Sequence, residues 1–141
     1  MTPEKFITLF SDFAFKFHAE VQDPNVFLTT RSGDCDDFAT LAAEILGRNG
    51  YTTHLVAVRM KGETHVICYV EETRSYLDYN YRQEIRKTVS SDGSLTDIAK
   101  KVSDSFGREW LATYEFTYQE KVKRLVDKIM TNRTTAAGKA S

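Results

Sequence analysis

The sequence predicts an α+β fold, with helices packed on an antiparallel sheet. Three observations carry that prediction. Apolar residues recur at three- and four-residue spacing over 3–22, 35–49, 94–106 and 117–130, the period of an amphipathic helix. Two apolar runs, 53–60 and 64–71, flank Lys61-Gly62-Glu63, a good hairpin connection. The order is helix, helix, strands, helix, strand, helix, and a hairpin-rich sheet of this kind is not the doubly wound parallel type.

The first helix, 3–22, is capped by Thr2, with Pro3 at the first position, where no amide hydrogen bond is lost. Phe6, Leu9, Phe10, Phe13, Phe17 and Val21 give it a core-facing stripe, and Asp23-Pro24-Asn25 ends it. An approach segment, 26–34, leads through Arg31-Ser32-Gly33-Asp34 into a second helix. That helix, 35–49, buries Phe38, Leu41, Ala42, Ile45 and Leu46 and stops at Gly50. The strands 53–60 and 64–71 follow, then a turn near Glu72-Thr73 and a third strand from Ser75 to Asn80. Residues 82–93 read as a polar loop. Ser94 with Asp97 opens a third helix, which Gly107 closes. Residues 110–118 alternate, with Trp110, Ala112, Tyr114, Phe116 and Tyr118 on one side of a further strand. Thr117 and Glu120 form a capping-box pattern before a last helix carrying Val122, Leu125, Val126 and Ile129. Residues 1–130 thus make one domain, and the small, polar tail 131–141 is expected to be disordered.

Composition excludes several function classes. The 141 residues suit a single core, well supplied by 41% hydrophobic residues. A net charge of −1 and a pI near 6.3 give no pull toward nucleic acid. No apolar run approaches the ~20 residues of a membrane span. The start, MTPEKFITLFSDF, lacks the basic and apolar regions of a secretory signal, so a cytoplasmic location without membrane contact is the expectation. Two cysteines make neither a disulfide framework nor a zinc pattern.

The two cysteines differ in kind. A thiol nucleophile acts as the thiolate, which a helix N-terminus favours. A histidine beside it exchanges the proton, and a carboxylate behind the histidine orients the ring. Cys35 opens a helix directly after Gly33-Asp34. Among the three histidines, His18 and His54 read as structural, while His65 lies near a strand end that can face a cleft. Asp78 is a lone acid in the strand-like Tyr76-Leu77-Asp78-Tyr79-Asn80, where aspartate is disfavoured. His65 and Asp78 share a sheet face if an even-numbered loop joins their antiparallel strands, and an odd loop would separate them. Cys68 lies three residues beyond His65, on the opposite face, and reads as a buried, inert thiol. Spacing alone does not separate this set from other Cys, His and Asp combinations.

The string Gly33-Asp34-Cys35-Asp36-Asp37-Phe38-Ala39, followed by Leu41, Leu46 and Gly50-Tyr51, resembles the nucleophile helix of transglutaminase-like proteins. Thr64-His65-Val66 and Leu77-Asp78 follow in that superfamily's order of Cys, His and Asp, and the likeness spans about residues 31–80. The closest flavour is that of the bacterial transglutaminase-like cysteine peptidases. The resemblance implies a papain-like core with the nucleophile helix packed on an antiparallel sheet. It also implies Cys35 as nucleophile, His65 as general base and acid, and Asp78 as orienting carboxylate.

The expected activity is hydrolysis of an amide or peptide bond in a protein or peptide substrate. Transglutaminase or glutamine-modifying activity with the same triad is one alternative, and a non-catalytic binding module on this fold is another. Asp34, Asp36 and Asp37 crowd Cys35 with negative charge, which opposes thiolate formation. Either they point away as helix caps, or a cation neutralises them. No cofactor is required, and calcium held by Asp34 and Asp36 is one such cation. Gln22, Asn25 and Thr30 are the candidates for a second oxyanion donor.

Overall fold

A computed structural model describes residues 1–15, 21–30, 32–81, 88–119 and 122–130. The chain runs α1 (Pro3–Thr8), β1 (Ala14–Phe15), α2 (Pro24–Thr30), β2 (Ser32–Gly33) and α3 (Cys35–Arg48). It continues through β3 (Thr53–Met60), β4 (Glu63–Val70), β5 (Ser75–Leu77) and a 3-10 turn, Tyr79–Tyr81. Then come β6 (Thr88–Ser90), α4 (Leu95–Phe106), β7 (Trp110–Gln119) and β8 (Val122–Met130). The architecture is α+β. Six strands form one antiparallel sheet in the order β6-β5-β4-β3-β7-β8, and β1 pairs in parallel with β2 apart from it.

The sheet divides two apolar layers. On one face, Leu55, Ala57, Val66, Cys68, Leu77 and Phe116 pack under α3 and the phenylalanines of the N-terminal segment. On the other, Val56, Val58, Ile67, Tyr69 and Tyr76 pack under Ile98, Ala99 and Val102 of α4. Alternation along β3 and β4 deals successive residues to the two layers.

α3 begins on a full capping box. The Asp37 amide donates to Asp34 Oδ1 at 3.2 Å, and the Asp34 amide donates to Asp37 Oδ2 at 3.1 Å. The β3–β4 hairpin turns on Lys61-Gly62, with Gly62 at φ +83°. α4 is capped by Ser94 and ends on Gly107 in the left-handed region. Among the described residues, no helix is long and apolar enough to cross a membrane.

Several expectations are corrected, and the third strand ends at Leu77 before the 3-10 turn instead of running to Asn80. The first helix ends at Thr8, not near residue 22. The amides of Leu9, Phe10, Ser11 and Phe13 donate three residues back, a tighter turn, before Ala14 and Phe15 extend beside β2. Phe6, Phe10 and Phe13 still converge with Phe27 and Phe38, so ring packing satisfies the apolar spacing without a long helix. Phe17 lies outside the described residues. Pro24 starts a helix instead of serving only as a stop, because proline suits the first helical position. Within the expected loop 82–93, Thr88–Ser90 pairs with β5, while 82–87 lie outside the described residues.

The expected last helix is a strand. β8 pairs along β7, whose outer edge would otherwise present a row of unpaired amides and carbonyls. A bulge between Glu115 and Phe116 leaves Val126 without an opposite residue. Every residue of β8 is exposed, so no buried face imposes a two-residue period. A second bulge, between Arg59 and Met60, carries Trp110 out of the aromatic stripe of β7 and onto the α4 layer. The tail 131–141 lies outside the described residues.

Candidate active site

Cys35 is the first residue of α3, directly after its cap, and is half-buried. Gly33 precedes the cap because nothing larger fits. A Cβ there would stand 2.6 Å from the Phe27 ring and 2.7 Å from Asp37 Oδ2. The cap also anchors the preceding segment. Asp37 is buried and accepts from the Gln22 amide at 2.5 Å and from Gln22 Nε2 at 3.1 Å. Burial pushes the Asp37 carboxyl up, although the Gln22 and Asp34 amides work against that shift.

The turn between β4 and β5 is the even one, Glu71–Arg74, and Val70 faces Ser75 across it. The register continues with Tyr69 opposite Tyr76 and Cys68 opposite Leu77. Alternation then places Asp78 on the same face as Ile67 and His65. The side chains meet there, with His65 Nε2 2.7 Å from Asp78 Oδ1. His65 is 3% exposed and Asp78 0%. The Asn80 amide donates to the same Oδ1 at 2.9 Å, while Oδ2 is buried without a partner. The Phe106 ring of α4 packs 4.9 Å from the imidazole.

Along β4, β5 reaches no farther than Cys68–Val70, so β4 extends past this neighbour at the His65 end. α3 packs on β4 and on the 3-10 turn beside that end. Burial alone would push the His65 imidazole down. The Asp78 carboxylate, by charge and by hydrogen bond, and then the Cys35 thiol outweigh it, and its pKa is raised from 6.5 to about 10. Nε2 is committed to Asp78, which leaves Nδ1 as the nitrogen open to the thiol. The three residues singled out in the sequence are therefore brought together.

The other candidates are not. Cys68 is fully buried on the α3 face, and burial pushes its thiol up to about 12. Both cysteines are free. His54 bridges Glu115 through Nδ1 and Glu71 through Nε2, both at 2.6 Å, a structural clamp across neighbouring strands. His18 lies outside the described residues. Tyr79 is core, its hydroxyl donating to the Ala14 carbonyl at 3.0 Å. An open groove of about 930 Å³ has Gln22, Thr40, Glu44, Phe116, Tyr118 and Lys123 in its walls. Of the oxyanion candidates, Gln22 is tied to the first turn of α3 through Asp37, and the side chains of Asn25 and Thr30 lie outside the described set.

The acidic cluster does not fit a calcium ion, which takes 6–8 oxygens. Asp34 and Asp37 face each other in the capping box, and Asp37 also holds Gln22. Asp36 turns the other way, with Oδ1 3.7 Å from Cys35 Sγ and Oδ2 3.6 Å from Lys123 Nζ. Among the described residues, no group of three or more His, Cys, Asp or Glu side chains could hold a metal ion. The sequence puts Lys123 on the charged face of the expected last helix, and it is the strand β8 that carries it to Asp36.

No curated protein matches the chain. A family model described as a transglutaminase-like domain matches residues 3–87, a segment that contains Cys35, His65 and Asp78. That match spans more than half of the sequence, and the chain belongs to the transglutaminase-like domain family.

Proposed function

We propose that the protein is a cysteine acyl-transfer enzyme that hydrolyses an amide or peptide bond through Cys35, His65 and Asp78. The observation that carries this reading is the buried His65–Asp78 hydrogen bond of 2.7 Å behind a thiol at a helix N-terminus. The Cys35 sulfur adds to the substrate carbonyl carbon as the thiolate, paired with the His65 imidazolium that its raised pKa favours. The oxyanion lies near the Cys35 amide, whose first-turn position leaves it no acceptor within the helix.

The tetrahedral adduct collapses with cleavage of the C–N bond, and His65 gives the proton to the departing amine. Water then attacks the thioester, its proton passes to His65, and the acid leaves with the Cys35 thiolate and the imidazolium restored. Asp78 holds the imidazolium formed in each half-reaction. If an amine replaces water in the second half, the same residues perform transamidation.

Iodoacetamide labelling of the native protein, mapped by mass spectrometry, tests the nucleophile. Selective modification of Cys35 over Cys68, slowed in His65→Ala, is the expected result. Equal or negligible labelling of both thiols would overturn the catalytic reading. Incubation with a peptide library, with and without a primary amine, separates the two outcomes: new peptide termini signal hydrolysis, and amine incorporation at glutamine signals transfer.

A further inference from the structure

Asp36 stands beside the nucleophile with a full carboxylate, and one of its oxygens accepts from the thiol at 3.7 Å. A hydrogen bond to the neutral thiol and a negative charge next to it both oppose the thiolate. The helix N-terminus and the His65 imidazole pull the other way. The balance depends on what faces the second Asp36 oxygen. Lys123 Nζ is 3.6 Å from it and 5.4 Å from the centroid of the Phe116 ring, so the ammonium is held over β7 while it reaches α3. Both partners are partly exposed, at 49% for Lys123 and 31% for Asp36.

We propose that Lys123 is a positioning residue for the triad, supplying the cation that the acidic start of α3 requires. It offsets the charge of the Asp36 carboxylate, which lessens the opposition to ionisation of the Cys35 sulfur beside it. Lys123 lies outside residues 3–87, so this device comes from the part of the chain that the family model does not match. The inference rests on the triad reading and adds to it a residue on the edge strand of the sheet.

The test is the rate of iodoacetamide alkylation of Cys35 at low ionic strength and near-neutral pH. An exposed ion pair of this kind is worth little, so Lys123→Gln is expected to slow alkylation about two- to fivefold. Lys123→Arg restores the charge and keeps the wild-type rate. Asp36→Asn removes the opposing carboxylate, and adding Lys123→Gln to it has no further effect. At about 1 M salt, where screening acts within about 3 Å, wild type and Lys123→Gln converge. Calcium and a chelator leave the rate unchanged.

A Lys123→Gln rate equal to wild type overturns the proposal. So does equal slowing in Lys123→Gln and Lys123→Arg, which marks a packing role, or acceleration by calcium. Failure of Cys35 to outpace Cys68 in the wild type is a different result. It overturns the triad reading, and the role of Lys123 falls with it.

Discussion

His65 Nε2 and Asp78 Oδ1 meet at 2.7 Å across a turn that sets their sheet face by its parity. Glu71–Arg74 is an even connection, and shortening it by one residue would carry Asp78 to the face of Cys68. The carboxylate accepts from both the imidazole and the Asn80 amide at one oxygen, so its orientation is set from two sides.

Asp78→Asn keeps the shape of the side chain and removes its charge. The imidazole loses the partner that favours its protonated form. With a cleavable substrate in hand, kcat/KM is expected to fall by about 10²–10⁴, with near-wild-type circular dichroism. A folded variant with undiminished turnover would remove Asp78 from the mechanism.

Stability should depend on pH through the same pair. The folded His65 value of about 10 lies above its ordinary 6.5. Its contribution to stability is therefore whole below 6.5 and is lost as the pH climbs through about 10. The shift corresponds to a few kcal/mol at most, since buried charges also lose solvation. Urea unfolding of wild type and Asp78→Asn across this window should give a gap that is widest at the acidic end and narrows upward. A gap that stays constant, or widens upward, would show that the pair does not titrate as described.

Gly33→Ala places a methyl group 2.6 Å from the Phe27 ring and 2.7 Å from Asp37 Oδ2. Overpacking of this kind costs about 1–3 kcal/mol. The variant should unfold at lower urea, and Phe27→Leu in the same background should recover part of the loss. No change in the urea midpoint would mean that the segment before Cys35 yields freely.

Cys68 lies in the α3 layer with no exposure. Cys68→Ser buries a hydroxyl without a provided partner and should cost about 1–3 kcal/mol. Cys68→Ala should cost less, and neither variant should change the alkylation rate of Cys35. A serine variant as stable as wild type would show that the layer contains a hydrogen-bond acceptor.

Much of the site was legible because its determinants are local. Asp34 and Asp37 mark the cap that makes Cys35 the first helical residue, and Gly50 marks the stop. The β3–β4 hairpin follows from two apolar runs and one glycine turn. The separation of His65 from Cys68 onto opposite faces needs only strand alternation.

What failed was the reading of apolar spacing where no single face is buried. Phe6, Phe10 and Phe13 sit at helical intervals, yet they reach one cluster through tightened turns and a change of chain direction. Val122, Leu125, Val126 and Ile129 also fit a helix. They belong instead to an exposed, bulged strand that the open edge of β7 recruits.

Local pattern set where the nucleophile helix starts, which cysteine opens it, and that His65 and Cys68 take opposite faces of their strand, while the β4–β5 register settled that Asp78 joins His65. Caps and side-chain period act over a few residues, and register depends on which strands pair. Tertiary structure alone decided that Thr88–Ser90 and Val122–Met130 extend the sheet, and that Asp36 faces Lys123. An edge strand is selected by the unpaired backbone of its neighbour. The charge beside Cys35 is set by a residue far along the chain, whose placement no local pattern encodes.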